Sequence, residues 1–169
     1  MLAGLLVAVS LQAGNDVDAP EWGASIERMA VDGPGELVLR GDRRVVRHAD
    51  LAGIPMTVNY RFEGDGLWQV RYFSRARHDD HPGRYLDDYR HLRSVFAARF
   101  GEPDEVAEEW TDELLIERPE YHGQAVQVGH LTLVAGWDHE EALILLTLDD
   151  ESFRPVQHAI LTDPAVDRR

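Results

Sequence analysis

The sequence contains no cysteine and no lysine. Without cysteine there is no disulfide, no thiolate metal ligand, no cysteine nucleophile and no cysteine to carry a lipid. Such a domain depends on its core, and 169 residues are enough to build one. All 17 basic residues are arginine, a bias of genome composition more than of function. Sequence motifs are also scarce. There is no phosphate-cradling loop, no dinucleotide fingerprint, no GxSxG around any serine and no HExxH.

No apolar run approaches the roughly 20 residues a membrane-spanning helix needs. The longest, Leu2 to Leu11, has the length of the apolar core of a secretory signal peptide, with cleavage after Ala13 or a little later. The usual basic segment before it is missing, since no arginine precedes Arg28. The expectation is a signal-peptide-like segment and linker over residues 1–19, one domain over 20–164 and a tail over 165–169. It implies a periplasmic or secreted protein without stable membrane insertion once the signal is removed.

What is abundant is acid. The formal charge is -14, and the stretch from Gly101 to Glu151 carries all of it, with fifteen acidic residues against Arg118 alone. Between Arg40 and Arg99 the balance reverses, twelve arginines against eight acids. An acidic half suits a basic protein or peptide partner, unless the two halves pack together and neutralise each other. Overall acidity argues against nucleic acid, whose phosphates it would repel. The sequence sets no oligomeric state.

Periodicity predicts two helices. Trp22, Ile26 and Met29 share one face; Tyr85, Tyr89, Leu92, Phe96 and Phe100 repeat that spacing over four turns. Pro20 and Pro82 stand just before them, and Gly101 with Pro103 ends the second. Strands follow each helix. Met56, Val58, Tyr60 and Phe62 alternate with polar residues, as do Trp68, Val70 and Tyr72, around a turn at Gly64 to Gly66. A two-residue turn there would set Trp68 opposite Arg61 and mix faces, so a loop of three or five residues is expected. An earlier hairpin turns at Gly41 and Asp42. Further strands are expected in residues 108–117, 125–137, 141–150 and 155–162. The fold class is therefore α+β: a curved antiparallel sheet with two main helices packed on one face, its order suggesting a tandem αβββ repeat.

The order Trp22-Gly23-Ala24-Ser25, Tyr60-Arg61-Phe62 with Leu67, Tyr85 to Tyr89, Phe100-Gly101-Glu102-Pro103, then Trp110, Gly129, Trp137 and Ile144 resembles a group of small exported bacterial proteins of unassigned function. The helix-plus-sheet order is also similar to β-lactamase-inhibitor-like domains and outer-membrane-assembly lipoprotein domains. Those domains bind other proteins, so the resemblance implies a binding role. The lipid-bearing cysteine of the lipoproteins is missing from this sequence, so the resemblance does not extend to their membrane tether.

Two sets of side chains are candidates for a site. In Arg77 to Leu92, three histidines and four aspartates crowd the start of the second helix. His78, His81, Asp87 and His91 have the chemistry of a divalent-metal site, such as a zinc-dependent hydrolase would use. Against that, aspartates before a helix are favoured by its unpaired N–H groups alone, and no cofactor is required. The second set is Asn59, Arg61, Gln69, Arg71 and Phe73, which strand alternation places with Thr57 on the outer face of the central hairpin. Arginine with aromatics is the composition of protein interfaces. The leading expectation is a non-catalytic module that binds a protein or peptide; the alternative is the metal-dependent hydrolase. Ser25 is placed on the polar side of the first helix, His130 in a strand, and Trp22, Trp68, Trp110 and Trp137 in the core.

Overall fold

The aromatic stripe from Tyr85 to Phe100 builds the longest element, helix α2, Gly83–Phe100. All five stripe residues are buried, and the chain leaves the helix at Gly101, whose φ of 89° suits glycine. The computed structural model describes residues 17–167. Residues 1–16, which hold most of the signal-peptide-like segment, and the last two residues of the tail lie outside them.

The other elements are α1 (Ile26–Val31), β1 (Glu36–Arg40), β2 (Arg44–Leu51), β3 (Ile54–Glu63) and β4 (Gly66–Ser74) before α2. After it come β5 (Glu105–Trp110), α3 (His122–Gln127), β6 (Leu131–Asp138), β7 (Leu143–Asp150), β8 (Pro155–Thr162) and α4 (Pro164–Asp167). The strands form one open antiparallel sheet in the order β1-β2-β3-β4-β8-β7-β6-β5. Two four-stranded meanders thus meet where β4 pairs with β8, from Gln69↔Thr162 to Phe73↔His158. The architecture is α+β. Each half holds four strands, where the expected repeat had three.

One face of the sheet carries the core. Val45, Val58, Tyr60, Val70, Ala159, Leu161, Leu146 and Ala135 form it across six strands. Helices pack on that side, α1 against β2, α2 against β7 and β8, and α3 against β6 and β7. Arg47 of β2, 6% exposed, ties α1 down by donating to the carbonyls of Pro34 (2.8 Å), Met29 (3.2 Å), Ala30 (2.8 Å) and Gly35 (2.6 Å). Gly35 has φ 75°, and a Cβ there would stand 2.0 Å from the carbonyl oxygen of His48. Only glycine lets this turn lie so close to β2.

Several local expectations change. The β3–β4 turn has only two residues, Gly64 and Asp65, with Glu63 paired to Gly66. The face problem is solved by a bulge: Phe62 pairs with Leu67 and Arg61 with Gln69, leaving Trp68 as the extra residue. Trp68 therefore lies beside Arg61, whose guanidinium is 5.4 Å from its ring centroid, and is not a core residue. Trp137 is buried, while Trp22 and Trp110 pack at the core margin. Trp22 precedes α1 rather than joining it, and Ser25 caps the helix by accepting from Arg28 N–H at 3.2 Å.

Residues 125–137 are not one strand. Ala125 and Val126, both fully buried, close helix α3, and Gly129 at φ 73° turns the chain into β6. His130 stands in that turn, with its Nδ1 buried and unpaired. In residues 108–117 the strand stops at Trp110, and a 3-10 turn, Glu113–Leu115, follows, capped by Asp112. The tail begins as the short helix α4.

Buried phenols give the fold a pH limit. Burial pushes Tyr60 up to about 12, partly offset by the Arg47 guanidinium. Burial likewise pushes Tyr89 up to about 12, with Arg93 opposing and Glu108 adding. Tyr72 is raised by burial, then by Tyr60 and Asp18. In the unfolded chain these groups ionise near about 10, so above that pH the folded state binds more protons than the unfolded one. Their stabilisation is complete below about pH 10 and is lost as pH rises through about 12. The urea midpoint should hold from about pH 8 to 9.5 and fall above about 10.5; a constant midpoint to pH 12 would refute the assignment.

Candidate functional site

Helices α1, α2 and α3 pack on the core face, and strand alternation decides what the opposite face shows. Register places Thr57 beside Phe73, Asn59 beside Arg71 and Arg61 beside Gln69. On one side Arg44 pairs with Arg61 and Val46 with Asn59. On the other, Arg71 pairs with Ile160 and Phe73 with His158. All five residues expected from the sequence therefore stand together. Arg43, Arg44, Asn59, Arg61, Arg71 and Phe73 line an open groove of about 410 Å³.

Gln69 organises the patch. It is 7% exposed, and its Oε1 accepts from Arg71 Nε at 2.6 Å and from Arg61 at 3.4 Å. Its amide nitrogen donates to Thr162 Oγ1 at 3.2 Å. A neutral amide thus aims two guanidiniums without cancelling either charge. Burial, then the nearby Arg61, lowers the pKa of Arg71. Among the described residues, none of Arg43, Arg44, Arg61 and Arg71 forms an ion pair with a carboxylate. Guanidiniums so placed can take an incoming carboxylate through paired N–H donors.

Beyond Phe73 the face changes character. The Phe73 and His158 rings lie 5.9 Å apart, and His158 meets Thr147 Oγ1 at 2.8 Å through Nε2. Burial lowers the His158 pKa, against Asp149, which raises it, and with Arg71, which lowers it further. Trp68, Leu143, Leu145, Ile160 and Val166 then form an apolar depression. Sequence reasoning missed Arg43, Arg44, His158 and Ile160. Arg44 was recoverable from the alternation of β2, whereas His158 and Ile160 required the β4–β8 pairing.

The histidine-rich segment is arranged otherwise. His78 Nε2 meets Asp88 Oδ2 at 2.7 Å, while its backbone N–H donates to Tyr85 Oη at 2.9 Å. Tyr85 in turn donates to Asp79 at 3.2 Å. His81 is exposed in the turn before α2. Asp87 lies 3.6 Å from Arg90, both exposed. His91 Nε2 donates to the carbonyl of Ala52 at 3.0 Å and pins the β2–β3 turn to α2. His78, His81, Asp87 and His91 thus have separate partners, and among the described residues no three His, Asp or Glu side chains gather where they could hold a metal ion.

No described helix is long and apolar enough to cross a membrane. Comparison with known proteins finds no family model, no curated protein and no solved structure that matches the chain.

Proposed function

We propose that the chain is a non-catalytic binding module of the bacterial envelope, which takes a protein or peptide partner on its open sheet face. The observation that supports this reading is the set of four arginines without carboxylate partners among the described residues, grouped around Asn59 and Phe73, two of them aimed by Gln69. Their charge favours an acidic segment with apolar side chains, the former for the guanidiniums and the latter for Phe73. The basic partner anticipated from net charge would instead use the acidic half, where Glu105, Glu108 and Glu109 are exposed on the edge strand β5.

A fluorescein-labelled octapeptide of alternating Glu and Leu tests the proposal by anisotropy. The native chain should bind it, more weakly as salt rises. Arg61→Glu with Arg71→Glu should weaken binding by at least about 100-fold, since each charge-assisted contact contributes about 1.5–3 kcal/mol. Circular dichroism should show an unchanged fold, because both side chains stand outside the core. Equal affinity in the double variant, or preference for a Lys/Leu octapeptide, would sink the reading.

A further inference from the structure

On the helix side of the sheet a second feature lies apart from the arginine patch. Helix α1 has six residues and packs on β2, while α2 packs on β7 and β8. Over β3 and β4 runs the segment from Val17 to Glu21, and the described residues enclose beneath it a cavity of about 640 Å³. That volume is within the range of small-molecule sites, about 300–1,000 Å³. Val58, Leu67, Tyr60 and Tyr72 line its floor, with Val17 and Met29 on the opposite wall.

The two tyrosines are the polar side chains of that floor. A buried phenol O–H ordinarily finds an acceptor, as Tyr85 does in Asp79. Neither the Tyr60 nor the Tyr72 hydroxyl makes a hydrogen bond with another described residue, and neither oxygen is among the sealed, unpaired ones, which places both open to the cavity that the two residues border. Burial raises the pKa of both phenols, outweighing the opposing Arg47 guanidinium at Tyr60, and Tyr60 is close enough to act on Tyr72. Both are therefore neutral donors at working pH. The lining also includes Asp18, Glu21, His48, Asp50 and Arg75, and its three carboxylates against one arginine disfavour an anion.

We infer that this cavity binds a neutral, mostly apolar small molecule through a carbonyl or ether oxygen that accepts from the Tyr60 and Tyr72 hydroxyls. The site is independent of the open face and of the partner proposed for it. It selects for size, for absence of negative charge and for one acceptor oxygen on an apolar body.

The probe is 6-propionyl-2-dimethylaminonaphthalene, a neutral naphthyl ketone whose emission moves to the blue in apolar surroundings and back to the red when its carbonyl accepts a hydrogen bond. The full chain should bind it saturably, one to one. Tyr60→Phe with Tyr72→Phe removes two oxygens and little else; it should weaken binding about 10-fold and shift the bound emission further to the blue. Val58→Trp, which fills the floor, should abolish binding. Because that variant strains the core, Ala49→Phe at the cavity margin provides a second blockade, checked by an unchanged urea midpoint. Non-saturable binding overturns the inference. So does saturable binding that the phenylalanine pair and Ala49→Phe both leave intact, which would place the probe elsewhere, as in the apolar depression beside Trp68.

Discussion

Replacing Arg47 with methionine should destabilise the fold by about 3–5 kcal/mol, since hydrogen bonds from a charged group contribute about 1.5–3 kcal/mol each and the loss leaves several carbonyls without that donor. The guanidinium satisfies four carbonyls at the end of α1 and in the turn that follows, at 2.6 to 3.2 Å. Methionine can fill the volume of the arginine stem but donates nothing. Pro34 and Gly35 would lose their side-chain donor, and α1, only six residues long, would lose its anchor to β2. Helices this short have little stability of their own, so the segment from Ser25 to Gly35 should detach with them. Arg47→Lys should recover less than half, because one ammonium cannot reach four acceptors spread around a planar fork. Urea denaturation decides the matter; a loss below about 1 kcal/mol for the methionine variant would show that the carbonyls are satisfied without Arg47.

The opposite sign is expected at Gln157. This residue of β8 is 2% exposed, stands beside Leu148 of β7, and has neither amide nitrogen nor amide oxygen paired. Burying an unpaired amide costs about 1–3 kcal/mol on protein mutational scales. Methionine has nearly the same length and no polar atom that requires a partner. Gln157→Met should therefore raise the unfolding free energy by about 1–3 kcal/mol, read as a higher urea midpoint at unchanged slope. A lower midpoint would mean that an internal water satisfies the amide and that the group earns its place by a polar contact.

Helix α2 was legible because Tyr85, Tyr89, Leu92, Phe96 and Phe100 keep one period for 16 residues, and competing patterns fail over that length. The β3–β4 hairpin was legible from alternation, and with it Asn59, Arg61, Gln69, Arg71 and Phe73. Its loop was misjudged because a bulge shifts register without leaving a compositional mark, so Trp68 changed sides. The helix α3 was hidden because Ala125, Val126 and Val128 form a short apolar run that suits either state. The β2–β3 turn was missed because Ala52 sits at φ 52°, a conformation alanine seldom takes. In the histidine segment, the partner that alternation did not single out was Asp88, which His78 meets at 2.7 Å. The cavity above Tyr60 and Tyr72 had no local signature, since its far wall, Val17 and Met29, comes from a distant part of the chain.

The position of β8 bears on how the molecule comes into being. During vectorial synthesis the first four strands and then β5 to β7 emerge as two separate ribbons, each with an inner margin whose N–H and C=O groups await Pro155–Thr162. The keystone is thus delivered last, and until it arrives the nascent chain presents two templates for illicit strand addition. Premature termination before Pro155 should yield insoluble material rather than a smaller folded protein.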